Sequence, residues 1–537
     1  MRGPSGWILG TGLVAAALAA AAPAALAQCT SIECQKLAAP AAEAGQLFAF
    51  GRKPAIDGNL AVVTSDAEDD RGAAYAYELQ GGQWVSIQHI VPADIAIADL
   101  FGKAAEIAGL RMVIAAPNDD DDGGGSGSAY AYEFNGTQWQ QVQKITASDA
   151  QAGDSFGWAM SMAGNVLVVG AINEDALGLN TGAAYVFRHD GLQWVEEQQL
   201  LPGVPGANDQ FGFSVATDGA VVVVGTPNVD TMGSDSGAAY VYRYDGATWV
   251  PEQTLLASDG AANDWFGWSV AVEGATILVG ATRQDVTATD TGAVYEWRYN
   301  GTNWGQTEMF AAVAPTANAQ FGWALDLDGD RLAVSAPGKS AGQGAIYVFV
   351  DEVTGWEESC QLLGSAAPGA GIFNDSLGAG LALQGPHLIG GAPFADGAVT
   401  DAGAAYVYML DENGESTCTG PGAGSIPDGA DVPGTPLKVR KVPGGKIRLG
   451  WAHSCQTDDT NYGVYQGTIG DFTTHAIVTC STSGQPSYTF TPGGGSHYYL
   501  VVPSNGFNEG SYGRDSDDEE RLPADVPCMD QNIASCQ

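Results

Sequence analysis

Hydrophobic and polar positions between residues 211 and 257 alternate in short runs, each closed by a turn signal. Phe211 to Thr217 reads as a strand, and Asp218-Gly219 as a tight turn. Ala220 to Thr226, rich in valine, reads as a second strand, followed by a polar loop from Pro227 to Ser236. Gly237 to Tyr244 alternates as a third strand, Asp245-Gly246 turns the chain, and Thr248 to Leu256 is the fourth. Asp-Gly and Asn-Gly suit two-residue hairpins, whose central residues need φ > 0. The same signal stands at Asn135-Gly136, Asp190-Gly191, Asn300-Gly301 and Asn413-Gly414. The predicted unit is four antiparallel strands.

The unit repeats. Phe-Gly recurs at Phe50, Phe101, Phe156, Phe211, Phe266 and Phe321, and Leu377-Gly378 holds the seventh place, at spacings of 51, 55, 55, 55, 55 and 56 residues. Trp84, Trp139, Trp194, Trp249, Trp304 and Trp356 follow in phase. So does a Gly-Ala-x-Tyr element or its variant around Tyr75, Tyr130, Tyr185, Tyr240, Tyr295, Tyr347 and Tyr406. A four-stranded unit cannot bury both faces alone; repeated about an axis, it becomes a propeller blade.

The ends of the array separate a closed ring from an open solenoid. The seventh repeat breaks off near Cys418, before its fourth strand, and the missing piece stands at the front. Cys34-Gln35-Lys36-Leu37 resembles Glu252-Gln253-Thr254-Leu255. Only a closed ring has a use for that permutation. The expected fold is all-β: a seven-bladed β-propeller over residues 28–419, with the N-terminal segment completing the last blade, followed by a small β-sandwich. Cys418 falls a few positions before Cys34 in the aligned repeat, so it is expected to pair with Cys34 or Cys29 and lock the ring. Cys360 aligns with Cys34 one blade away and has no assigned partner.

These units resemble FG-GAP repeats, the blades of integrin α-chain propellers and of many exported bacterial proteins. Gly391-Ala392-Pro393 keeps the Gly-Ala-Pro element intact. Integrin-type repeats often carry a calcium loop between the first two strands, but here that hairpin is cut to a turn such as Asp218-Gly219 or Glu273-Gly274. Asp326, Asp328 and Asp330 alone retain clustered carboxylates there, so calcium is a possible cofactor at that turn, against the plainer reading of a solvated acidic hairpin. The resemblance further implies ligand binding on the loop-bearing face of the disc.

Residues 420–434, rich in Gly, Pro, Ser and Asp, read as a linker. Residues 435–537 are β-patterned again, and Tyr498-Tyr499-Leu500-Val501-Val502 with Glu509-Gly510-Ser511-Tyr512 resembles the last strands of a fibronectin type III-like sandwich. Cys455 with Cys480, and Cys528 with Cys536, are candidate disulfide pairs, although sequence does not fix connectivity.

Composition narrows the function. The 537-residue chain carries 62 acidic and 21 basic side chains, a net charge of −41. Nucleic-acid binding needs a basic surplus that this chain lacks. Residues 1–27 read as a secretory signal peptide: Arg2, an apolar run from Trp7 to Ala22, and Ala25-Leu26-Ala27 as the cleavage site. The expected location is therefore the medium or a bacterial cell surface, with no membrane insertion after cleavage. The six histidines are scattered, and no nucleophile elbow, phosphate loop or zinc motif occurs. No catalytic residue is assigned, and the protein is expected not to be an enzyme. Asp119, Asp120, Asp121 and Asp122 form a conspicuous run, a second candidate metal site or a solvated loop tip. Further acids (Asp149 and Asp154, Glu174 and Asp175, Asp259 and Asp264) fall in the loops between strands two and three and in the links to the next blade, all on one face. That face is expected to bind an extracellular protein or a glycan, with cations as possible bridges. A polysaccharide-acting enzyme with its site at the propeller axis, and a structural envelope or matrix component, are the alternatives. The repeated Tyr and Trp are read as packing between blades.

Overall fold

The computed structural model describes residues 33–38, 49–352, 355–364, 375–395, 402–411, 413–414 and 416, and the backbone of short strands between 438 and 531. The leader 1–27, the linker 420–434 and Cys29, Cys418, Cys455, Cys480, Cys528 and Cys536 lie outside the described residues. Seven four-stranded antiparallel sheets form the blades of a β-propeller. In the fourth blade the strands are Ser214–Thr217, Val221–Thr226, Ala238–Tyr244 and Trp249–Leu255, paired in chain order. Second strands such as Val166–Ala171, Val221–Thr226 and Thr276–Ala281 are buried along their whole length. Neighbouring blades cover both of their faces, so they read as unbroken apolar runs rather than alternating ones.

The last blade joins the two ends of the array. Its strand order is Gln35–Leu37, Ala404–Met409, His387–Ala392, Leu381–Gln384. Gln35, Lys36 and Leu37 pair with Val407, Tyr406 and Ala405, the register that Gln253, Thr254 and Leu255 keep with Val241, Tyr240 and Ala239. That register corrects one alignment. Cys360 pairs with Val348, so it occupies the place of Gln35 and Gln253, not that of Cys34. Neither Cys34 nor Cys360 is free.

The outer hairpins also differ from expectation. Tyr244 pairs with Trp249, leaving four residues in the turn rather than two. The Asp245 N–H donates to the Thr248 carbonyl at 3.0 Å, and its carboxylate accepts from the Ala247 and Thr248 N–H groups, both at 2.8 Å. An Asx side chain that bonds its own backbone replaces the second left-handed residue of a type I′ turn. Two-residue turns occur in inner hairpins, as between Glu273 and Thr276, and in the outer hairpin of the first blade, where Gly81 and Gly82 both have φ > 0.

Each blade touches the next through one repeated contact. Gly72, Gly127, Gly182, Gly237, Gly292, Gly344 and Gly403 make parallel bridges to Phe101, Phe156, Phe211, Phe266, Phe321, Leu377 and Phe50. The last bridge closes the ring. These are the glycines of the Gly-Ala-x-Tyr element; near Tyr130 it is the alanine that is replaced, by Ser128, while Gly127 is kept. A Cβ on Gly237 would lie 1.9 Å from the Phe266 carbonyl oxygen, and its φ is +84°. The phenylalanines are buried, and each packs against the tyrosine of its own blade, edge-on as Phe266 does to Tyr295 at 5.5 Å and 78°, or tilted as Phe211 does to Tyr240 at 59°. A second link runs along the outer strands. The Gln253 side-chain amide donates to the Trp304 carbonyl and accepts from the Trp304 N–H, at 2.8 and 2.9 Å. Gln35–Trp84, Gln88–Trp139, Gln143–Trp194 and Gln198–Trp249 repeat the pair. The amide stands in for a backbone partner at an otherwise open sheet edge.

Beyond the propeller, strands Lys438–Val442, Lys446–Gly450 and Ser487–Phe490 form one sheet. Asn461–Thr468, Asp471–Thr479, His497–Ser504, Asn508–Glu509 and Asp530–Gln531 form a second.

The seam predicts a contrast between two glycines with similar backbones. Gly246 has φ +101° with nothing near its missing Cβ, whereas Gly237 faces Phe266. Gly246→Ala should cost about 1–2 kcal/mol, the left-handed backbone penalty alone. Gly237→Ala adds overpacking and should cost about 2–5 kcal/mol in denaturant unfolding. Equal losses would show that the seam has room for a side chain.

Candidate functional site: the loop-bearing face and the mouth of the axial channel

The carboxylates of the loop face are largely committed to the fold. Asp99, Asp154, Asp209 and Asp264, at intervals of 55 residues, each accept a backbone N–H three residues earlier, from Ala96, Gln151, Gly206 and Ala261, at 2.6–2.7 Å. Asp175, Asp230 and Asp285 accept from the N–H five residues ahead. Tyrosine hydroxyls donate to others: Tyr75 to Glu68 at 2.7 Å, Tyr185 to Asp149 and Tyr295 to Asp259 at 2.8 Å. His89 also meets Glu68 at 3.0 Å, and that contact raises its pKa against the effect of burial. Burial pushes Glu174 up to about 7, and the neighbouring Asp154 carboxyl adds to the rise.

The run at Asp119–Asp122 divides. Asp119 is buried and accepts from Tyr130 at 2.7 Å and Ser128 at 2.8 Å, with the Lys144 ammonium at 2.8 Å. Burial opposes its ionisation, but these donors outweigh it and hold the carboxyl below the usual range. Asp121 also meets Lys144, while Asp120 and Asp122 are exposed. The other candidate set divides too. Asp326 accepts from the Leu383 N–H at 2.6 Å inside the ring. Asp328 accepts from the Gly385 N–H at 2.8 Å and pairs with Arg331 at 3.1 Å. Asp330 follows on the exposed turn. Among the described residues no three acidic, histidine or cysteine side chains cluster as a metal site. Asp326 and Asp328, two residues apart on one strand, share a face, but each spends an oxygen on a separate backbone N–H of the next blade, and Asp330 lies beyond them on the turn.

Convergence occurs at the axis instead. Each inner strand starts at its Phe-Gly on the loop-bearing face, so the residue after the glycine rims the channel there. Those residues are Arg52, Lys103, Trp158, Phe213, Trp268, Trp323 and Ala379. The first six are half-buried. Four aromatic rings run side by side through four consecutive blades. Trp158 lies 6.1 Å from Phe213, Phe213 4.7 Å from Trp268, and Trp268 4.6 Å from Trp323, with successive planes tilted by 47–51°. Trp265 stacks on Trp268 at 5.0 Å, with the Arg283 guanidinium 3.5 Å above it. Lys103 extends the arc, its ammonium 4.3 Å over Trp158. The three contacts along the arc and the Lys103–Trp158 contact join neighbouring blades. Sequence reading passed over them because it followed the invariant Phe and Gly and not the variable residue behind them; that variable position was the available signal.

Farther along the inner strands lies a cavity of about 260 Å³ lined by Lys53, Glu106, Ser161, Thr217 and Asp326 among aliphatic side chains. Lys53 lies 4.0 Å from Glu106. Burial pushes Glu106 up to about 7 and Asp326 up to about 6. It pushes Lys103 down to about 8, helped by the positive charge of Arg52. The arrangement can stack a ring against the aromatic wall and place a polar group over the channel; among the described residues it pairs no nucleophile with a base.

Five stretches of the chain match the FG-GAP repeat: 84–132, 139–187, 194–242, 249–295 and 304–349. Each runs from the outer-strand Trp of one blade through the third strand of the next. The chain is thus a seven-bladed β-propeller, five stretches of which match the FG-GAP repeat. No curated protein matches the chain in sequence. Similar solved structures include a candidate 6-phosphogluconolactonase from Bacteroides uniformis, 11% identical, with 64% of this chain and 90% of that one covered and a TM-score of 0.43. Another, from Bacteroides fragilis, is 12% identical, with 68% and 90% covered and a TM-score of 0.44.

The axial carboxyls predict a pH effect on stability. Both hold their protons more strongly in the folded chain than in the unfolded one, so their contribution is complete below about pH 4. It is lost as pH rises through about 6 and about 7. The Glu106→Gln/Asp326→Asn variant keeps an acceptor for Leu383 and removes the titration. Its melting midpoint should exceed the parent's by about 2 °C or more at pH 8, and by much less at pH 5. A pH-independent difference would mean that the channel does not penalise the ionised forms.

Proposed function

We propose that the protein is an exported, non-enzymatic binding or adhesion protein that takes its ligand at the mouth of the axial channel on the loop-bearing face. The aromatic arc from Trp158 to Trp323 carries this reading. Large half-buried rings that line a concavity, with a few charged groups beside them, have the composition of a ligand site. The repeated Trp and Tyr elsewhere in the blades are buried and leave no such surface. The acidic loops serve the reading as scaffold, since most of their carboxylates hold backbone or tyrosine groups in place. The acids left exposed for a bridging cation are those such as Asp120 and Asp122. The β-rich tail, with its fibronectin type III-like strands, suits a spacer between the propeller and its surroundings.

One observation favours a second reading. Glu106 and Asp326, with Lys53 beside the former, give the channel groups that could exchange protons near neutrality, as a polysaccharide-acting enzyme would require. Release of reducing ends from a polysaccharide, lost in Glu106→Gln, would establish that alternative.

The binding reading is checked on an immobilised panel of oligosaccharides and extracellular matrix proteins. Trp268→Ala and Trp323→Ala should lower retention on whatever the parent binds by tenfold or more, with unchanged circular dichroism. A loss on neutralising Asp120 and Asp122, with none in the tryptophan variants, would move the site to the loops.

A further inference from the structure

The cations of this acidic chain are unevenly placed. Among its 21 basic residues, Arg52 and Lys53 lie on the inner strand Phe50–Asp57, and Lys103 stands just ahead of the next inner strand, Ala105–Ala108, at the end of the aromatic arc. Two of them have partners. The Arg52 guanidinium meets Asp66 at 3.3 Å, and Lys53 approaches Glu106 at 4.0 Å. Lys103 has no ion pair and no side-chain hydrogen bond among the described residues; its ammonium sits 4.3 Å above Trp158. Arg283, at the other side of the aromatic cluster, has a buried Nε without a hydrogen-bond partner and lies on Trp265. The half-buried Lys103 ammonium has only the Trp158 ring beside it, and partly desolvating a charge that lacks an anionic partner is unfavourable; the equivalent positions in four other blades are aromatic. An anion seated beside the aromatic wall would supply the missing partner.

We infer that the channel mouth binds an anionic sugar, with the C–H face of the pyranose ring against Trp158, Phe213, Trp268 and Trp323, and its acidic group on Lys103. This rests on the mouth being the ligand site. A sugar ring suits the wall because it has an apolar face and carries its charge at the edge. An extended peptide fits less well, since its backbone donors and acceptors would face rings that cannot satisfy them. The overall charge of −41 does not forbid an anion here, because exposed charges farther away than about 8 Å are largely screened at physiological salt.

The test titrates the full mature chain with tri-galacturonate and tri-mannuronate, and with the neutral trisaccharides of galactose and mannose, following tryptophan fluorescence and calorimetric heat. At least one uronate should bind tenfold or more tighter than its neutral counterpart. Lys103→Met, which keeps an unbranched chain over Trp158, should remove that preference, and Lys103→Arg should restore it. Retention of Tm in Lys103→Met shows that the fold is intact. Equal affinity for acidic and neutral sugars, each weakened by Trp268→Ala, would overturn the anionic assignment and leave the mouth as the site. Binding of a poly-glutamate peptide in place of any sugar, or no binding of either uronate, would also overturn it. Uronate binding indifferent to Trp268→Ala would remove the mouth itself.

Discussion

The propeller depends on one close approach, repeated seven times. The backbone that opens the third strand of each blade lies against the start of the next blade's inner strand, where a side chain on Gly237 would stand 1.9 Å from the Phe266 carbonyl oxygen. Only glycine permits both that distance and a φ of +84°. The same geometry holds the residue before each Phe, or before Leu377, in the left-handed region: Ala49, Leu100, Ser155, Gln210, Trp265, Gln320 and Ser376. Strain at a single position can mark a functional site. Strain at all seven marks the architecture. The phenylalanine rings, once delivered to the seam, dock on the tyrosines and fill the space between sheets.

The outer edge is managed by different means. Outer strands expose unpaired backbone groups, and the glutamine clasps satisfy the N–H and carbonyl of each tryptophan on the next blade. Two places break the series. Glu308 stands in for glutamine opposite Trp356 and accepts its N–H at 3.1 Å. Cys360 occupies the corresponding place in the sixth blade, next to the blade assembled from both ends of the array. The clasp therefore gives way to other chemistry where the ring is joined.

Electrostatics follows from the same repetition. The loop face is rich in carboxylates because four linking turns are each held by an aspartate and four of the repeated tyrosines donate their hydroxyls to an acid. A count of charges suggests a ligand surface; the hydrogen bonds show a scaffold. What remains available is the axis, where the variable residue behind each Phe-Gly is free of these duties and the aromatic and cationic side chains collect.

The blade number, the strand pattern and the borrowed outer strand are all legible in the chain, because Phe50 through Leu377 and Cys34 through Leu37 repeat at a fixed period and every copy meets the same environment. Hairpin length was misjudged at Asp245-Gly246, since whether a side chain or a second left-handed residue completes a turn depends on local geometry. The metal candidates Asp326 and Asp328 share a strand face, but the next blade engages their carboxylates with the Leu383 and Gly385 N–H groups, a contact between blades that a single repeat does not display. The sequence by itself determined how often the unit recurs and where each copy turns. Only the tertiary structure decided that Lys103, Trp158, Phe213, Trp268 and Trp323, spaced 55 residues apart, stand around one channel, because closure of the ring brings equivalent positions together and gives them a joint surface that no single repeat contains.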